Sequence, residues 1–285
     1  MSIVVTGATG QLGRLVIDEL LERVPADRIA AAVRDADKAA DFAARGVELR
    51  IADYSAPETL KDAFHPGDTV LLISSNDLEG RLPQHTAVID AAKEAGVALL
   101  AYTGVLGGPE ADFELASAHR ETEKLILASG LPYTFLRNGW YTENYTRQLP
   151  QVLEHGAVVG SAGEGRVATA SRRDYAAAAA VVLAGEGHEN TAYELSGDVA
   201  WSLTEYAAEV TKQAGKDVVY TDLPVDAFHQ VLTGSGMPEA VAAVFTDVDV
   251  AISRGRLAIT TGDLARLIGR PTTTLAVTVA EALKS

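Results

Sequence analysis

The chain has 285 residues, 47% hydrophobic and 22% charged, a composition that argues for a folded globular protein of one large or two modest domains. Its 24 Lys and Arg against 39 Asp and Glu leave a formal charge of −15, which argues against a nucleic-acid partner, because such a partner demands a basic footprint. Cysteine is absent, and with it disulfides, thiolate metal sites and cysteine nucleophiles.

In chain order, short β-branched runs alternate with longer amphipathic stretches. Ile3 to Val5 precedes Leu12, Leu15, Val16 and Leu20 at helical spacing. Ile29 to Val33 precedes Lys38 to Arg45, and Val47 to Ile51 precedes Glu58 to Phe64. Thr69 to Ile73 precedes Val88 to Ala95; Ala98 to Tyr102 precedes His119 to Ala128; Tyr133 to Leu136 follows. This rhythm predicts an α/β fold, a Rossmann-type doubly wound parallel sheet with helices on both faces. Ser55 with Glu58, and Ser202 with Glu205, have capping-box spacing. Gly46, Gly96 and Gly130 each fall between a helix and a strand, where a left-handed C-cap is wanted.

After about Gly139 the rhythm breaks. Helical pieces include Tyr145 to Leu153, Tyr175 to Ala184, Leu203 to Ala214, Pro238 to Ile252 and Asp263 to Ile268, with short strands near Tyr193 to Leu195 and Val218 to Thr221. The expected organisation is a dinucleotide-binding lobe over 1–140 and a smaller mixed α/β substrate lobe over 141–285, not strictly contiguous. Met1 to Thr6 shows no basic region or cleavage site, and no apolar run is long enough to span a bilayer. The expectation is a cytoplasmic protein without a membrane partner, either a monomer or a homodimer.

The chemistry begins at Gly7-Ala8-Thr9-Gly10-Gln11-Leu12-Gly13, which leaves the first strand and opens the first helix. Gly7 suits the tight turn, Gly10 lets backbone approach a pyrophosphate, and Gly13 lets helix pack on strand. The helix N-terminus adds free amides and a partial positive charge. The spacing is G-x-x-G-x-x-G, one residue longer than G-x-G-x-x-G, but its strand-turn-helix context is the required one. Arg34 directly follows the second strand, where an arginine accommodates a 2′-phosphate and an acidic residue a ribose hydroxyl. This favours NADPH; Asp35 as a ribose ligand, or as a helix cap beside a solvated Arg34, are the competing readings. Asp53 and Tyr54 stand where an adenine edge is held. Ser74, Ser75 and Asn76 follow the fourth strand and Thr103 lies on the fifth, at the carboxyl ends where ligands collect in such sheets. The six histidines show no metal spacing, and neither a nucleophile elbow nor a phosphate-loop lysine is present. No metal site is expected.

Several further segments carry a family resemblance. Ile51-Ala52-Asp53-Tyr54, Pro83-Gln84-His85, Glu121-Thr122-Glu123-Lys124, Leu136 through Tyr145, Asp174 through Ala180 and Leu267 through Thr274 join the glycine motif in this. Together they resemble the bacterial type 2 NAD(P)H:quinone oxidoreductases, NmrA-like members of the atypical short-chain dehydrogenases, over almost the whole chain. The resemblance implies NADPH binding and two-electron reduction of a quinone. It implies that Gly7 to Gly13 hold the pyrophosphate, Arg34 the 2′-phosphate, and Ser74 to Asn76 the cofactor groove. It implies that Asn138, Gly139, Trp140, Tyr141 and Asn144 border the nicotinamide and the quinone, with Arg172 reaching the cofactor from the second lobe.

The chain departs from the wider superfamily at the Tyr-x-x-x-Lys pair. The lysine position falls on His119 and the tyrosine position on Leu115, and only Thr103 keeps a hydroxyl. Oxidation of simple alcohols therefore loses its proton relay, whereas a quinone is already electrophilic and needs chiefly positioning. Asn138, Asn144, Tyr141 and His119 are the candidates to meet the quinol oxygen; His119 is the one expected to titrate near neutral pH. Two further readings stand beside quinone reduction: a non-catalytic NADP(H)-binding redox sensor of the NmrA type, and a triphenylmethane or azo dye reductase.

Overall fold

The computed structural model describes residues 1–284. In chain order the elements are β1 (Ile3–Val5), α1 (Gln11–Leu21), β2 (Ile29–Val33), α2 (Ala40–Ala44), β3 (Glu48–Ile51), α3 (Pro57–Leu60), β4 (Thr69–Leu72), α4 (Arg81–Ala95), β5 (Leu99–Val105), α5 (Glu114–Ser129) and β6 (Tyr133–Asn138). There follow α6 (Glu143–Thr146), α7 (Leu149–His155), β7 (Ala157–Gly160), β8 (Arg166–Val167), α8 (Arg172–Ala184), β9 (Thr191–Leu195), β10 (Trp201–Ser202) and α9 (Leu203–Ala214). The chain closes with β11 (Val219–Asp222), α10 (Val225–Gly234), α11 (Glu239–Ser253), α12 (Asp263–Ile268) and α13 (Leu275–Ala282).

Two compact units result. Unit 1 takes Met1–Pro109, Ala118–Asn138 and Arg172–Glu194; unit 2 takes Glu110–Ser117, Gly139–Ser171 and the chain from Leu195 on. Unit 1 holds a seven-stranded sheet in the order β3-β2-β1-β4-β5-β6-β9. Its pairings β1–β2, β2–β3, β1–β4, β4–β5 and β5–β6 are all parallel. The order in which the strands are added reverses between β1 and β4, and the crevice at the carboxyl ends of those strands is where such sheets bind ligands. β1, β2 and β5 are buried along their whole length, as the apolar runs require. The sheet is sealed by Val4, Val70, Leu72, Leu100, Tyr102 and Phe135 together with Leu60, Val88, Ile89 and Ile126 from the helices.

Local expectations divide by mechanism. Gly96 ends α4 with φ of 69°, and Gly46 and Gly130 are also left-handed. Ser202 caps α9 with both bonds of the capping box. The Ser55 box does not form. The helix starts after Ala56 with Pro57 at its first turn, and the Ser55 hydroxyl accepts from Gln84 instead. The helix expected over Tyr145 to Leu153 is two helices, because Pro150 lacks an N–H and clashes with the turn before it. α8, and β9 as far as Glu194, belong to unit 1, so the stretch after 140 is not all of one unit.

Unit 2 has two small sheets, β7 paired in parallel with β11 and β8 paired with β10 antiparallel, surrounded by helices. A buried ion pair lies in unit 1: Arg50 bonds Asp68 at 2.6 Å, and Asp68 also accepts from the Ser2 and His65 amides. Burial would raise the Asp68 carboxyl, but those amides and Arg50 together hold it below the usual carboxylate range. Among the described residues, no helix is long and apolar enough to cross a membrane.

Candidate functional site

The glycine turn sits at the carboxyl end of β1. Gly7 has φ of +58°, which a side chain disfavours. A methyl on Gly13 would stand 2.4 Å from the Gly7 carbonyl oxygen and 2.7 Å from the Ala8 Cα, so only glycine lets α1 lie this close to the turn. Gly10 is the N-cap of α1 and the helix has no side-chain cap and no acidic residue in its first turn. Its N-terminal amides are therefore not taken up by a capping side chain, which suits an anion. Gly7, Gly10 and Gln11 are exposed, Thr9 is half-buried, and Ala8 and Leu12 are buried as packing. Tyr54 lies under the turn, its hydroxyl bonded to Thr6 and, at 3.0 Å, to the Ile73 carbonyl.

Arg34 is exposed just past β2 and forms no ion pair among the described residues. Asp35 accepts from the Asp37 amide at 3.0 Å and pairs loosely with Lys38 at 3.8 Å. Asp35 is thus occupied by its own turn, while Arg34 stands available for a phosphate. Asp53 likewise accepts from the Ser55 amide at 2.9 Å.

The loop after β4 is pinned from beneath. The Ser74 amide donates to the Thr103 hydroxyl at 2.9 Å, and the Ser75 amide to His85 Nε2 at 3.0 Å. Arg81 Nε donates to the Ser75 carbonyl at 2.8 Å, and the Ser75 hydroxyl bonds Gln84. Asn76 is exposed at the tip. Thr103, expected to meet the cofactor, is 3% exposed with its hydroxyl committed to this loop, so it positions Ser74.

His119 requires a correction. It is 6% exposed inside unit 1, with Nε2 facing Arg81 at 3.4 Å and Nδ1 bonded to the Tyr102 hydroxyl at 2.7 Å. Arg81 has no acceptor, so Nε2 is the accepting nitrogen and the Nδ1 proton goes to Tyr102. Burial, then the Arg81 and His85 charges, hold the ring well below the usual histidine value, so it does not titrate near neutrality. His85 is pushed down to about 3 by burial and Arg81. The sequence marks neither Arg81 nor His85 as part of this polar chain, because the pairing runs between α4, β5 and α5.

At the end of β6, Asn138 is 6% exposed, and its Oδ1 has no hydrogen-bond partner within the protein. A buried acceptor left open is costly, and one that faces a ligand amide is satisfied on binding. Next to it, Arg137 is locked in unit 1 by a bidentate pair with Glu123 and a 2.7 Å contact to Glu194. The chain then enters unit 2, where Gly139 donates to Leu195 and Tyr141 bridges to Ala170. Arg172, expected to come from the second lobe, opens α8 of unit 1. The reason is that α8 packs its buried alanine face against α1.

Unit 2 contains a cavity of about 40 Å³, several times the roughly 10–15 Å³ that one water needs. Trp140, Asn144, Tyr145, Phe228, Phe245 and Asp249 are among its lining residues. Asp249 is 6% exposed and its Oδ2 accepts from the Ser161 amide at 2.7 Å. Burial, with Asp222 nearby, pushes its carboxyl up to about 6. Asp249 is not among the residues expected from the sequence, yet a signal for it exists. Ala242, Phe245, Asp249 and Ile252 follow the i, i+3, i+7 spacing of an apolar helix face, and a carboxylate on that face is anomalous.

The NADPH-directed residues pass a test of fit within unit 1: a glycine cradle that a Cβ would fill, uncapped helix amides, an unpaired Arg34 and an orphaned Asn138 oxygen. Among the described residues no cluster suits a metal ion.

Comparison with known proteins gives the same cofactor. The family model described as NAD(P)H-binding matches residues 7–188. Quinone oxidoreductase 2 of Escherichia coli (strain K12) is 49% identical over 277 residues, covering 97% of each chain. The crystal structure of the NADPH-dependent quinone oxidoreductase from Escherichia coli complexed with NADPH superposes with a TM-score of 0.96 at 48% identity over 99% of both chains. The Citrobacter sp. triphenylmethane reductase complexed with NADP(H) gives 0.94 at 42% identity, over 99% of this chain and all of that one.

Proposed function

The chain belongs to the NAD(P)H-binding family in which these reductases fall, and on that premise we propose that it is an NADPH-dependent quinone oxidoreductase. The observation that carries the reading is a likeness of 49% identity to quinone oxidoreductase 2 that runs over 97% of both chains. When bound, NADPH supplies a hydride to the substrate.

The chain's own residues do the rest. Gly7 to Gly13 present the α1 amides to the pyrophosphate, and Arg34 takes the 2′-phosphate. Asp53 borders the adenosine side. Ser74 to Asn76 form one wall of the groove, held in place by Thr103, His85 and Arg81. The open Asn138 Oδ1 would accept from the nicotinamide amide. Asn144, Trp140 and Tyr141 serve the substrate, with the aromatic rings offering flat apolar faces to a quinone. His119 acts through Arg81 and Tyr102 and is a positioning residue.

The test is steady-state NADPH oxidation with a panel of benzoquinones and naphthoquinones, run beside a triphenylmethane dye. The expected result is quinone turnover that exceeds dye turnover. Faster turnover of the dye returns the chain to the dye-reductase reading. Tight NADPH binding with no turnover of either acceptor favours a redox sensor.

A further inference from the structure

Resting on the reading of Ser74 to Asn76 as a wall of the cofactor groove, we propose that Thr122 is a positioning residue for NADPH. Its hydroxyl fixes which nitrogen of His85 carries the proton, and His85 in turn holds the Ser75 backbone. Thr122 lies inside α5, and Thr122, His85 and Tyr102 are all fully buried. The residue acts only through others, so it is not a catalytic group.

The direction of each bond follows from the groups at the ends of the network. The Ser75 amide can only donate, and it stands 3.0 Å from His85 Nε2, so that nitrogen carries the lone pair. The His85 proton is then on Nδ1 and goes to Thr122 Oγ1 at 2.9 Å. The proton of Thr122 goes to the Ala118 carbonyl, one turn back along α5, at 2.8 Å. From the other side, Arg81 donates to His119 Nε2, and His119 gives its Nδ1 proton to Tyr102. The Tyr102 hydroxyl is itself hydrogen-bonded to Thr122. A hydroxyl has one proton and two lone pairs, and Thr122 uses all three. Both histidine branches therefore end on this one oxygen. Arg81 closes the ring by donating from Nε to the Ser75 carbonyl at 2.8 Å. Both backbone groups of Ser75 are thus set by the network.

Burial and the Arg81 charge push His85 down to about 3, so the ring is neutral and the choice of tautomer is the freedom that remains. With the proton on Nε2 instead, two donors would face each other and the bond to Ser75 would be lost. The Ser74 amide would keep its own acceptor, Thr103, so the disturbance begins at Ser75. The helix that carries the Tyr-x-x-x-Lys pair in the wider superfamily here carries His119 and Thr122, which aim a loop of the groove.

The experiment reads isotope-labelled histidine ring nitrogens by NMR in the whole chain near neutral pH, with signals assigned from His85→Gln and His119→Gln. Both rings of the wild type are expected to be neutral, with the proton on Nδ1. Thr122→Val keeps the shape and removes the hydroxyl. It is expected to move the His85 proton to Nε2 and to weaken NADPH by about 10-fold in a fluorescence titration, the scale of one buried hydrogen bond left open. Thr122→Ser returns the hydroxyl and is expected to restore both readings. A wild-type His85 protonated on Nε2 overturns the proposal, and so does an NADPH loss in Thr122→Val with His85 unmoved. A shifted His85 with NADPH affinity intact overturns it too, and removes Ser75 from the groove wall. A thermal melt checks folding; should Thr122→Val not fold, Thr122→Ala is read against the same outcomes. None of these readings needs turnover. If they come out as expected while no quinone is reduced, the Thr122 assignment stands and the quinone-reductase reading falls.

Discussion

Arg34 is an exposed guanidinium with no carboxylate partner among the described residues, one residue past β2, while the neighbouring Asp35 is used by its own turn. A charge-assisted contact to a 2′-phosphate exists only for NADPH. Arg34→Ala is therefore expected to weaken NADPH by roughly 10- to 100-fold and leave NADH nearly unchanged, as hydrogen bonds to charged groups imply. Fluorescence titration of both cofactors measures this, and an equal loss for both removes Arg34 from the site. This preference was legible in the sequence, because the rule depends on one residue after one strand. The fate of His119 was not. It falls at the lysine position of the superfamily's Tyr-x-x-x-Lys pair, but its chemistry depends on Arg81 and Tyr102, which are 38 and 17 residues away.

The glycines of the β1-to-α1 turn act at the scale of an element. Gly13 carries the contact between helix and turn, whereas a methyl on Gly10 would stand 3.1 Å from the Gly7 carbonyl and nothing nearer. Gly13→Ala is expected to lower the melting temperature through overpacking of about 1–3 kcal/mol and to weaken NADPH as α1 shifts. Gly10→Ala is expected to keep most of the stability and lose NADPH affinity, because its methyl projects where the pyrophosphate passes. Thermal melts beside cofactor titrations separate the two; equal stability losses would show that both glycines serve packing alone. The elements of unit 1 were legible because each apolar run and each glycine cap is a local feature. β7, β8 and β10 were not, because strands of two to four residues form only when a distant partner supplies the hydrogen bonds.

Across the whole molecule the buried histidines of unit 1 and the buried Asp249 of unit 2 are expected to contribute to stability with opposite pH dependence. In unit 1, His85 and His119 are held neutral, with folded values below 6.5. The unfolded chain then binds more protons, so their contribution to stability is full above about pH 6.5 and is lost as pH falls. In unit 2, Asp249 titrates near 6 against an ordinary 3.8, so the folded state binds the extra proton. Its contribution is full below about pH 4 and is lost as pH rises through 6. From pH 7 to pH 5, amide hydrogen exchange corrected for intrinsic rates is expected to show α4 and α5 losing protection and α11 gaining it. A parallel change in all three helices would contradict these assignments.

The sequence by itself determined the dinucleotide fold, the glycine cradle and the family resemblance, and it raised the reading of Arg34 as the group that meets a 2′-phosphate. Each of these is written in residues close together in the chain, and periodicity and turn chemistry are local physics. Only the tertiary structure decided the rest. It moved α8 and Arg172 into unit 1, withdrew His119 into a buried polar chain, left Asn138 Oδ1 open, and brought Asp249 to the cavity. A side chain's protonation and availability depend on burial and on partners distant in the chain, and only folding brings those together.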